Sequence, residues 1–311
     1  MLTVISCVFT YVCILLAVAF FTLLERKGLS YIQRRKGPNK VGITGIPQPL
    51  ADAAKLLTKE IVIPSVVNIS VYATAPILSF ILALLLWQLY PSLYAVSYFK
   101  SGVLFFLCVS AMNVYGTLLA GWASNSKYAL LGALRAIAQT ISYEVSMALI
   151  LLFPLFISAS FNFIELKEVQ SSIWFTFLLV PLGCMWFVTC VAETNRAPFD
   201  FAGGESELVS GFNIEYGSAG FALIFLAEYA NILVMSLFTA LLFTGGGSIF
   251  SMSSDFLLVL ETLFFAFLFI WVRGSYPRFR YDLLMGLTWK AFLPAALTAL
   301  VLVNSLNFIL K

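Results

Sequence analysis

The chain has 311 residues, of which 61% are hydrophobic and 11% charged, with 18 Lys and Arg against 15 Asp and Glu. Soluble domains contain about 25% charged residues, so this composition and a mean hydropathy of +0.97 exclude an ordinary soluble protein. The absence of histidine removes imidazole ligands for haem or metals and the usual neutral-pH proton carrier. Any protonic function therefore depends on carboxylates, lysines, tyrosines and water.

Long apolar segments predict eight transmembrane helices, because a helix needs about 20 apolar residues to cross a bilayer. The first 24 residues are uncharged and positive charges follow them, which favours an uncleaved first helix over a signal peptide. The prediction is an all-α polytopic membrane protein with a single transmembrane domain, 1–311. Its predicted spans are 3–24, 70–90, 102–122, 138–160, 173–192, 219–242, 256–272 and 291–309.

Lysine and arginine are distributed unevenly over the connections between these spans. The connections 25–69, 123–137, 193–218 and 273–290 share one side, here called side A, and hold 15 of the 18 Lys and Arg. Positive charge accumulates on the cytoplasmic or matrix side of membrane proteins. The bias therefore predicts that side A faces the cytoplasm or the matrix.

The first side-A connection contains an amphipathic segment at about 47–61. Asp52, Lys55 and Lys59 fall on one helical face, and apolar side chains recur on another. The segment is too short and too polar to span a bilayer, so we predict a short surface helix between the first two spans. It either lies on the membrane surface or walls a cavity at the membrane boundary, with Asp52 turned inward.

The connection 193–217 concentrates a third of all the acids in the chain. It has one cation, Arg196, and lies on the same side as two basic connections. We predict that the arginines of side A clamp this acidic loop, although a solvated acidic loop remains the alternative. The acids are Glu193, Asp200, Glu205, Glu207 and Glu215, and the clamping arginines are Arg196, Arg273, Arg278 and Arg280.

Three further acids lie inside predicted spans, Glu144 in the fourth, Glu228 in the sixth and Glu261 in the seventh. Glu261 is nearer the opposite side and could simply face water. A carboxylate at the bilayer centre costs a few kcal/mol on insertion scales, so it usually lines a polar path or has a partner. With Glu193 at the end of the fifth span, three acids lie on three helices reached from side A. These acids predict a proton-accessible path, with static ion pairs as the alternative.

Conventional catalytic and metal-binding patterns are missing from the sequence. The five cysteines are scattered through apolar segments without a Cys-x-x-Cys pair, so they predict neither an iron–sulfur nor a zinc site. We find no phosphate-binding glycine loop, nucleophile triad or metal cluster. The chain is therefore predicted to have no catalytic residue or metal site of its own.

Several long motifs follow one another over nearly the whole chain. They include Leu24-Glu25-Arg26-Lys27, Gln139-Thr140-Ile141-Ser142-Tyr143-Glu144, Glu193-Thr194-Asn195-Arg196-Ala197-Pro198-Phe199-Asp200 and Tyr276-Pro277-Arg278-Phe279-Arg280-Tyr281-Asp282. Together these motifs resemble the chain 1 family of NADH:ubiquinone oxidoreductase, respiratory complex I, in its mitochondrially encoded form.

The resemblance implies eight transmembrane helices and a subunit that forms the membrane side of a quinone chamber. It implies ubiquinone as substrate, with flavin and iron–sulfur clusters in partner subunits and no redox centre in this chain. Partners would be the hydrophilic quinone-module subunits, the antiporter-like membrane subunits and the phospholipid bilayer, with no nucleic acid. The location would be the mitochondrial inner membrane, with the basic loops in the matrix.

The resemblance also assigns roles to residues. Glu25, Arg26, Arg35 and Asp52 match positions of the chamber or its entrance. An acidic path toward the antiporter-like subunits would comprise Glu144, Glu193, Glu215 and Glu228, together with the other loop acids, Asp200, Glu205 and Glu207. Gly203 departs from the family, which usually has an acid at this position. The role of that acid is therefore either dispensable here or taken by Asp200 or Glu205.

Three other functions remain open from the residues alone. An ion-coupled secondary transporter would explain the intramembrane acids, but we find no internal repeat of the kind that class usually has. The membrane subunit of an energy-converting hydrogenase would share the architecture without a quinone. A purely structural anchor would tolerate neutralisation of Glu193 or Glu228.

Overall fold

The computed structural model describes residues 2–91, 98–171, 173–178, 180–204, 211–249 and 252–310. These ranges are mostly helical, with one short antiparallel hairpin between β1 (Ser248–Ile249) and β2 (Met252–Ser253). A π-helical turn, Thr288–Phe292, joins the last two helices. The helices are α1 (Leu2–Ile32), α2 (Gln48–Thr58), α3 (Ile69–Leu86), α4 (Gly102–Ala123), α5 (Lys127–Ser158), α6 (Phe163–Val169), α7 (Phe175–Leu178), α8 (Val180–Glu193), α9 (Ser218–Phe243), α10 (Asp255–Ser275), α11 (Tyr281–Leu287) and α12 (Leu293–Leu310).

Seven helical segments of the described chain are long and apolar enough to cross a membrane, and α8 is a shorter apolar helix. Helices α7 and α8 occupy the predicted span 173–192. The amphipathic segment predicted at 47–61 forms α2. The prediction of an all-α polytopic membrane protein with a short helix between its first two spans is therefore confirmed.

Three boundaries predicted from the sequence are wrong, because the helices continue beyond the apolar runs. Helix α1 extends to Ile32, so Glu25 and Arg26 lie on the helix rather than in a connection. Helix α5 begins at Lys127 instead of 138, and α11 forms inside the connection predicted at 273–290. The added part of α5 is rich in alanine and leucine, which are strong helix formers.

Helix α9 lies at the centre of the bundle and packs against α1, α2, α3, α8 and α10. It is buried on every side from Val234 to Phe243, which is typical of a helix enclosed by others. Helix α5 packs in turn against α4, α8 and α12. Two of the acids predicted inside spans therefore lie on two central helices, Glu228 on α9 and Glu144 on α5, whereas Glu261 lies on α10.

Helix α4 approaches its neighbours closely because glycines lie where the helices cross. A Cβ added at Gly121 would lie 2.3 Å from the Cβ of Ala133 in α5, and one added at Gly116 would lie 3.1 Å from the Cβ of Ser79 in α3. Small residues at such crossings let helix backbones pack tightly in membranes. These contacts fix α3 and α5, which border the candidate site.

Candidate functional site

A buried charge cluster joins α1, the start of the acidic loop and α10. The Glu25 side chain is 6% exposed, and its Oε1 accepts from Nη1 of Arg196 at 3.4 Å and from Nη1 of Arg273. The guanidinium of Arg196 lies 4.3 Å from the ring centroid of Tyr229 in α9, a cation–π contact. We call Glu25, Arg196, Tyr229 and Arg273 the Glu25 cluster.

The charge of Arg196 is maintained by its neighbours. Burial alone would lower the pKa of its guanidinium, but the negative charge of Glu25, with a smaller contribution from Glu228, raises the pKa above its usual value. Removing one partner of a buried ion pair is strongly destabilising, because the other charge stays buried and unpaired. The Glu25 cluster therefore ties the acidic loop firmly to α1 and α10.

A small cavity of about 40 Å³ lies next to this cluster, between α3, α4, α9 and the end of α8. Glu193, Glu228 and Asn231 all contribute to its lining. A polar cavity of this size has room for a few water molecules, each bonded to two or more polar groups. The cavity thus connects the acid at the end of α8 with the acid in the middle of α9.

The three membrane acids form a series that begins at the Glu25 cluster. Glu228 is close enough to Arg196, Asp200 and Glu25 for their charges to act on it. Glu144 in turn is close enough to Glu193 for its charge to act on that carboxyl group. The order is therefore the Glu25 cluster, Glu228, the cavity, Glu193 and Glu144.

Gln139 fixes the start of the acidic loop on α5. Its fully buried amide nitrogen donates to the carbonyl oxygens of Ala192, at 2.8 Å, and Phe199, at 2.9 Å. On the other side, the backbone N–H of Phe279 donates to the carbonyl of Pro198 at 3.1 Å. From the sequence, Gln139 is only the start of the motif that ends at Glu144 and has no predicted role. An amide side chain in an otherwise apolar helix is the signal that the sequence offers.

Asp200 links the acidic loop to the connection after α10. Its Oδ2 lies 3.5 Å from Nη2 of Arg278, and its Oδ1 accepts the backbone N–H of Gly203 at 2.9 Å. A Cβ added at Gly203 would lie 2.8 Å from Oδ1 of Asp200. The carboxylate of Asp200 thus occupies the space in which a side chain at position 203 would begin.

The predicted clamping arginines reach different acids. Arg278 contacts Asp200. Arg273 and Arg196 both contact Glu25. Arg280 lies 3.0 Å from Asp282, at the exposed start of α11. Two of the predicted path acids, Glu205 and Glu207, lie outside the described residues.

The end of the acidic loop is held by an aromatic pair that sequence reasoning missed. The Tyr72 and Tyr216 rings stack with centroids 4.2 Å apart and planes 6° from parallel. The Tyr72 hydroxyl donates to the backbone carbonyl of Glu215 at 2.7 Å. Burial raises the pKa of Tyr216, and the neighbouring Tyr72 makes a smaller contribution in the same direction. Glu215 is therefore fastened to α3 through its backbone.

Helix α2 lies against α1 and α9 at the side-A end of the bundle. Arg26 Nη1 contacts Asp52 Oδ2 at 2.5 Å, and Gln48 donates to the other oxygen of Asp52 at 2.9 Å. Asp52 thus faces α1, while the apolar side chains of Leu50 and Leu57 are 59% and 71% exposed. This exposure favours a helix that lies on the membrane surface.

Arg35, the remaining chamber candidate, is exposed just after α1.

These features define a polytopic helical membrane protein with a buried ionic site at one end and a series of carboxylates leading from it. The family model described as NADH dehydrogenase matches residues 5–304. The chain therefore belongs to the NADH dehydrogenase family.

Curated relatives agree over most of the chain. A protein named NADH-ubiquinone oxidoreductase chain 1 from Heterololigo bleekeri is 56% identical over 298 residues, covering 96% of this chain and 94% of the relative. Proteins with the same name are 55% identical in Anopheles gambiae, over 93% of this chain and 90% of theirs, and 54% identical in Metridium senile, over 95% and 90%. The family expected from the sequence motifs is confirmed, and neither a secondary transporter nor a hydrogenase subunit is favoured.

Proposed function

We propose that this chain, a core membrane subunit of respiratory complex I, couples the reduction of ubiquinone to proton movement through its series of buried carboxylates. Other complex I subunits are its partners, and the enzyme is an oxidoreductase. We assign side A to the matrix and expect contact there with the hydrophilic quinone module. Electrons would arrive from an iron–sulfur cluster in a neighbouring subunit, and the flavin would also belong to partner subunits, because this chain has no histidine and no cysteine motif for a redox centre.

The observation that carries this proposal is the arrangement of carboxylates from the Glu25 cluster to Glu144. A charged group next to the Glu25 cluster acts on Glu228, the cavity joins Glu228 to Glu193, and Glu193 acts on Glu144. Closely spaced carboxylates in a low dielectric titrate as a coupled set. One change of charge at the membrane boundary would therefore be passed along the series.

The quinone headgroup is proposed to bind at the side-A boundary, near the end of α1. Arg26, Asp52 and Gln48 form a polar contact there between α1 and α2, and Glu25 lies on the same helix end, inside the bundle. The isoprenoid tail would enter between helices. Reduction of the headgroup creates a demand for protons and negative charge, which the Glu25 cluster and Glu228 would sense through Arg196.

The acidic loop is proposed to transmit this signal. Three contacts among the described residues hold the loop. Its Arg196 pairs with Glu25, and its Asp200 pairs with Arg278. The backbone carbonyl of its Glu215 accepts a hydrogen bond from Tyr72. A shift of the loop would change the field at Glu228, since Arg196 and Asp200 both act on it. Protons would then pass from Glu144 toward the antiporter-like subunits.

The quinone part of the proposal predicts that Arg26→Ala raises the KM for ubiquinone roughly fivefold, because an exposed charged contact contributes up to about 1 kcal/mol. The kcat should fall much less, since Arg26 does not belong to the carboxylate series. Steady-state kinetics of the assembled complex with a short-chain ubiquinone would measure both constants. Arg280→Ala, which removes an 80% exposed arginine from a different segment, is the control and should leave the KM unchanged. An unchanged KM in Arg26→Ala would contradict this placement of the headgroup.

A further inference from the structure

A long apolar groove lies outside the ionic site, between α8, α10 and the π turn before α12. Its volume is about 530 Å³, which falls within the range of about 300–1,000 Å³ that is usual for small-molecule sites. Val188 of α8, Leu268 of α10 and Phe292 of the π turn represent its three walls. No charged side chain lines it within the described residues, so the lining suits a hydrocarbon group.

The groove is long enough for an extended chain. Val180 and Val191, at opposite ends of α8, both line it, and eleven residues of helix span roughly 16 Å. It continues past α8 to Phe199 and Tyr276 at the side-A end and starts near Thr244 at the other end. An acyl or prenyl chain lying along the helices fits this shape, whereas a compact ring system would leave most of the groove empty.

The side-A end of the groove has the chemistry of a membrane interface. Tyr276 is 60% exposed and Trp289 is 53% exposed, as expected for aromatic residues at the level of lipid headgroups. Lys290 is exposed beside Trp289, and the Arg280 side chain is 80% exposed. Asp282, paired with Arg280, adds one negative charge, so these three residues together carry a net charge of +1.

The π turn connects the groove to this entrance. Leu287, just before the turn, and Phe292, its last residue, both line the groove. Trp289 and Lys290, within the turn, are exposed. Single π turns in helices occur frequently at functional sites. Here the turn places one apolar and one cationic surface within the same five residues.

We propose that the groove binds one acyl chain of an anionic phospholipid, with its phosphate at Lys290 and Arg280. The apolar walls select the hydrocarbon chain, and the net positive entrance selects a lipid with a net negative headgroup. Basic pockets between membrane helices on the matrix or cytoplasmic side are known to suit such headgroups. The site is separate from the Glu25 cluster and does not depend on the quinone proposal.

Photocrosslinking of the intact complex in nanodiscs tests this site. Phosphatidylglycerol with a diazirine in one acyl chain should label peptides that contain Val188 and Leu268, and phosphatidylcholine with the same chain should label them several times less. Lys290→Glu should reduce phosphatidylglycerol labelling about fivefold, since each basic side chain near an anionic lipid contributes about 1 kcal/mol. Lys290→Arg should retain it.

Matched variants of α10 separate the groove from the general lipid surface. Leu268→Trp fills the groove and should abolish labelling, whereas Leu263→Trp, at an exposed position of the same helix outside the groove, should not. Equal labelling by the two lipids, or labelling unaffected by Leu268→Trp, would overturn the proposal. Competition by a ubiquinone analogue would also overturn it, because the groove would then belong to the quinone tail. Crosslinks from Val188 and Leu268 to a partner subunit instead of lipid would overturn it as well.

Discussion

Glu193→Gln is expected to lower NADH:ubiquinone oxidoreductase activity by about tenfold or more, with the complex still assembled. Glu193 lines the cavity that leads to Glu228 and acts on Glu144, so its amide would interrupt the series at its middle. Positioned acid–base groups contribute about 100-fold or more to proton transfer. The amide keeps the shape of the side chain and can still fill its place against α5. Activity with ubiquinone and with an artificial acceptor that bypasses the membrane arm should be measured in the same preparation.

Glu168→Gln is the matched control for this substitution. Glu168 is an exposed acid on α6, away from the cavity, and the same exchange there should leave ubiquinone reduction unchanged. Wild-type turnover in Glu193→Gln would show that the carboxylate only fills space. An equal loss of artificial-acceptor activity would indicate failed assembly, and would be checked by the amount of intact complex on a native gel.

Glu25→Leu should destabilise the subunit by about 3 kcal/mol or more, because Arg196 and Arg273 both lose the carboxylate that they share as ion-pair partner. The Arg196 side chain is 14% exposed, so water cannot replace the lost partner fully. Thermal denaturation of the purified complex, monitored through the release of this subunit, would report the loss of stability. The loop should be freed at its first anchor, so protease sensitivity within 193–204 should rise as well.

The exposed pair of Arg280 and Asp282 provides the comparison. Its side chains are 80% and 69% exposed, and exposed ion pairs contribute about 0–1 kcal/mol. Asp282→Asn should therefore change stability by about 0.5 kcal/mol or less. If Glu25→Leu behaves like Asp282→Asn, the Glu25 cluster does not hold the loop, and the signal proposed to pass through Arg196 loses its basis.

The fold class could be predicted because a bilayer imposes long apolar helices on the sequence. Helix ends were harder, since the run from Lys127 to 137 is polar enough to look like a connection yet consists of strong helix formers. Glu25 and Arg26 look like part of a connection for a similar reason, because their charges end the apolar run of α1. Charge ends an apolar run, but it does not end a helix whose last turns face protein or the membrane boundary.

The acids of the candidate site could be found from the sequence, but their partners could not. A carboxylate in an apolar segment is costly wherever the fold places it, so Glu144 and Glu228 stand out from the sequence alone. Which cation meets which acid depends on helix packing, and Glu25 and Arg196 are 171 positions apart in the chain. The role of Gln139 likewise depends on two carbonyls that only the fold brings within reach.

Infrared difference spectroscopy of bound ubiquinone before and after reduction tests the coupling of quinone chemistry to the buried carboxylates most directly. In the wild-type complex, reduction should change the carbonyl stretch of a protonated carboxyl group, and this band should disappear in Glu193→Gln but persist in Glu168→Gln. The band reports protonation of a side chain and not merely a rate. Identical difference spectra in all three complexes would contradict the account, because no carboxylate of the series would then respond to the quinone.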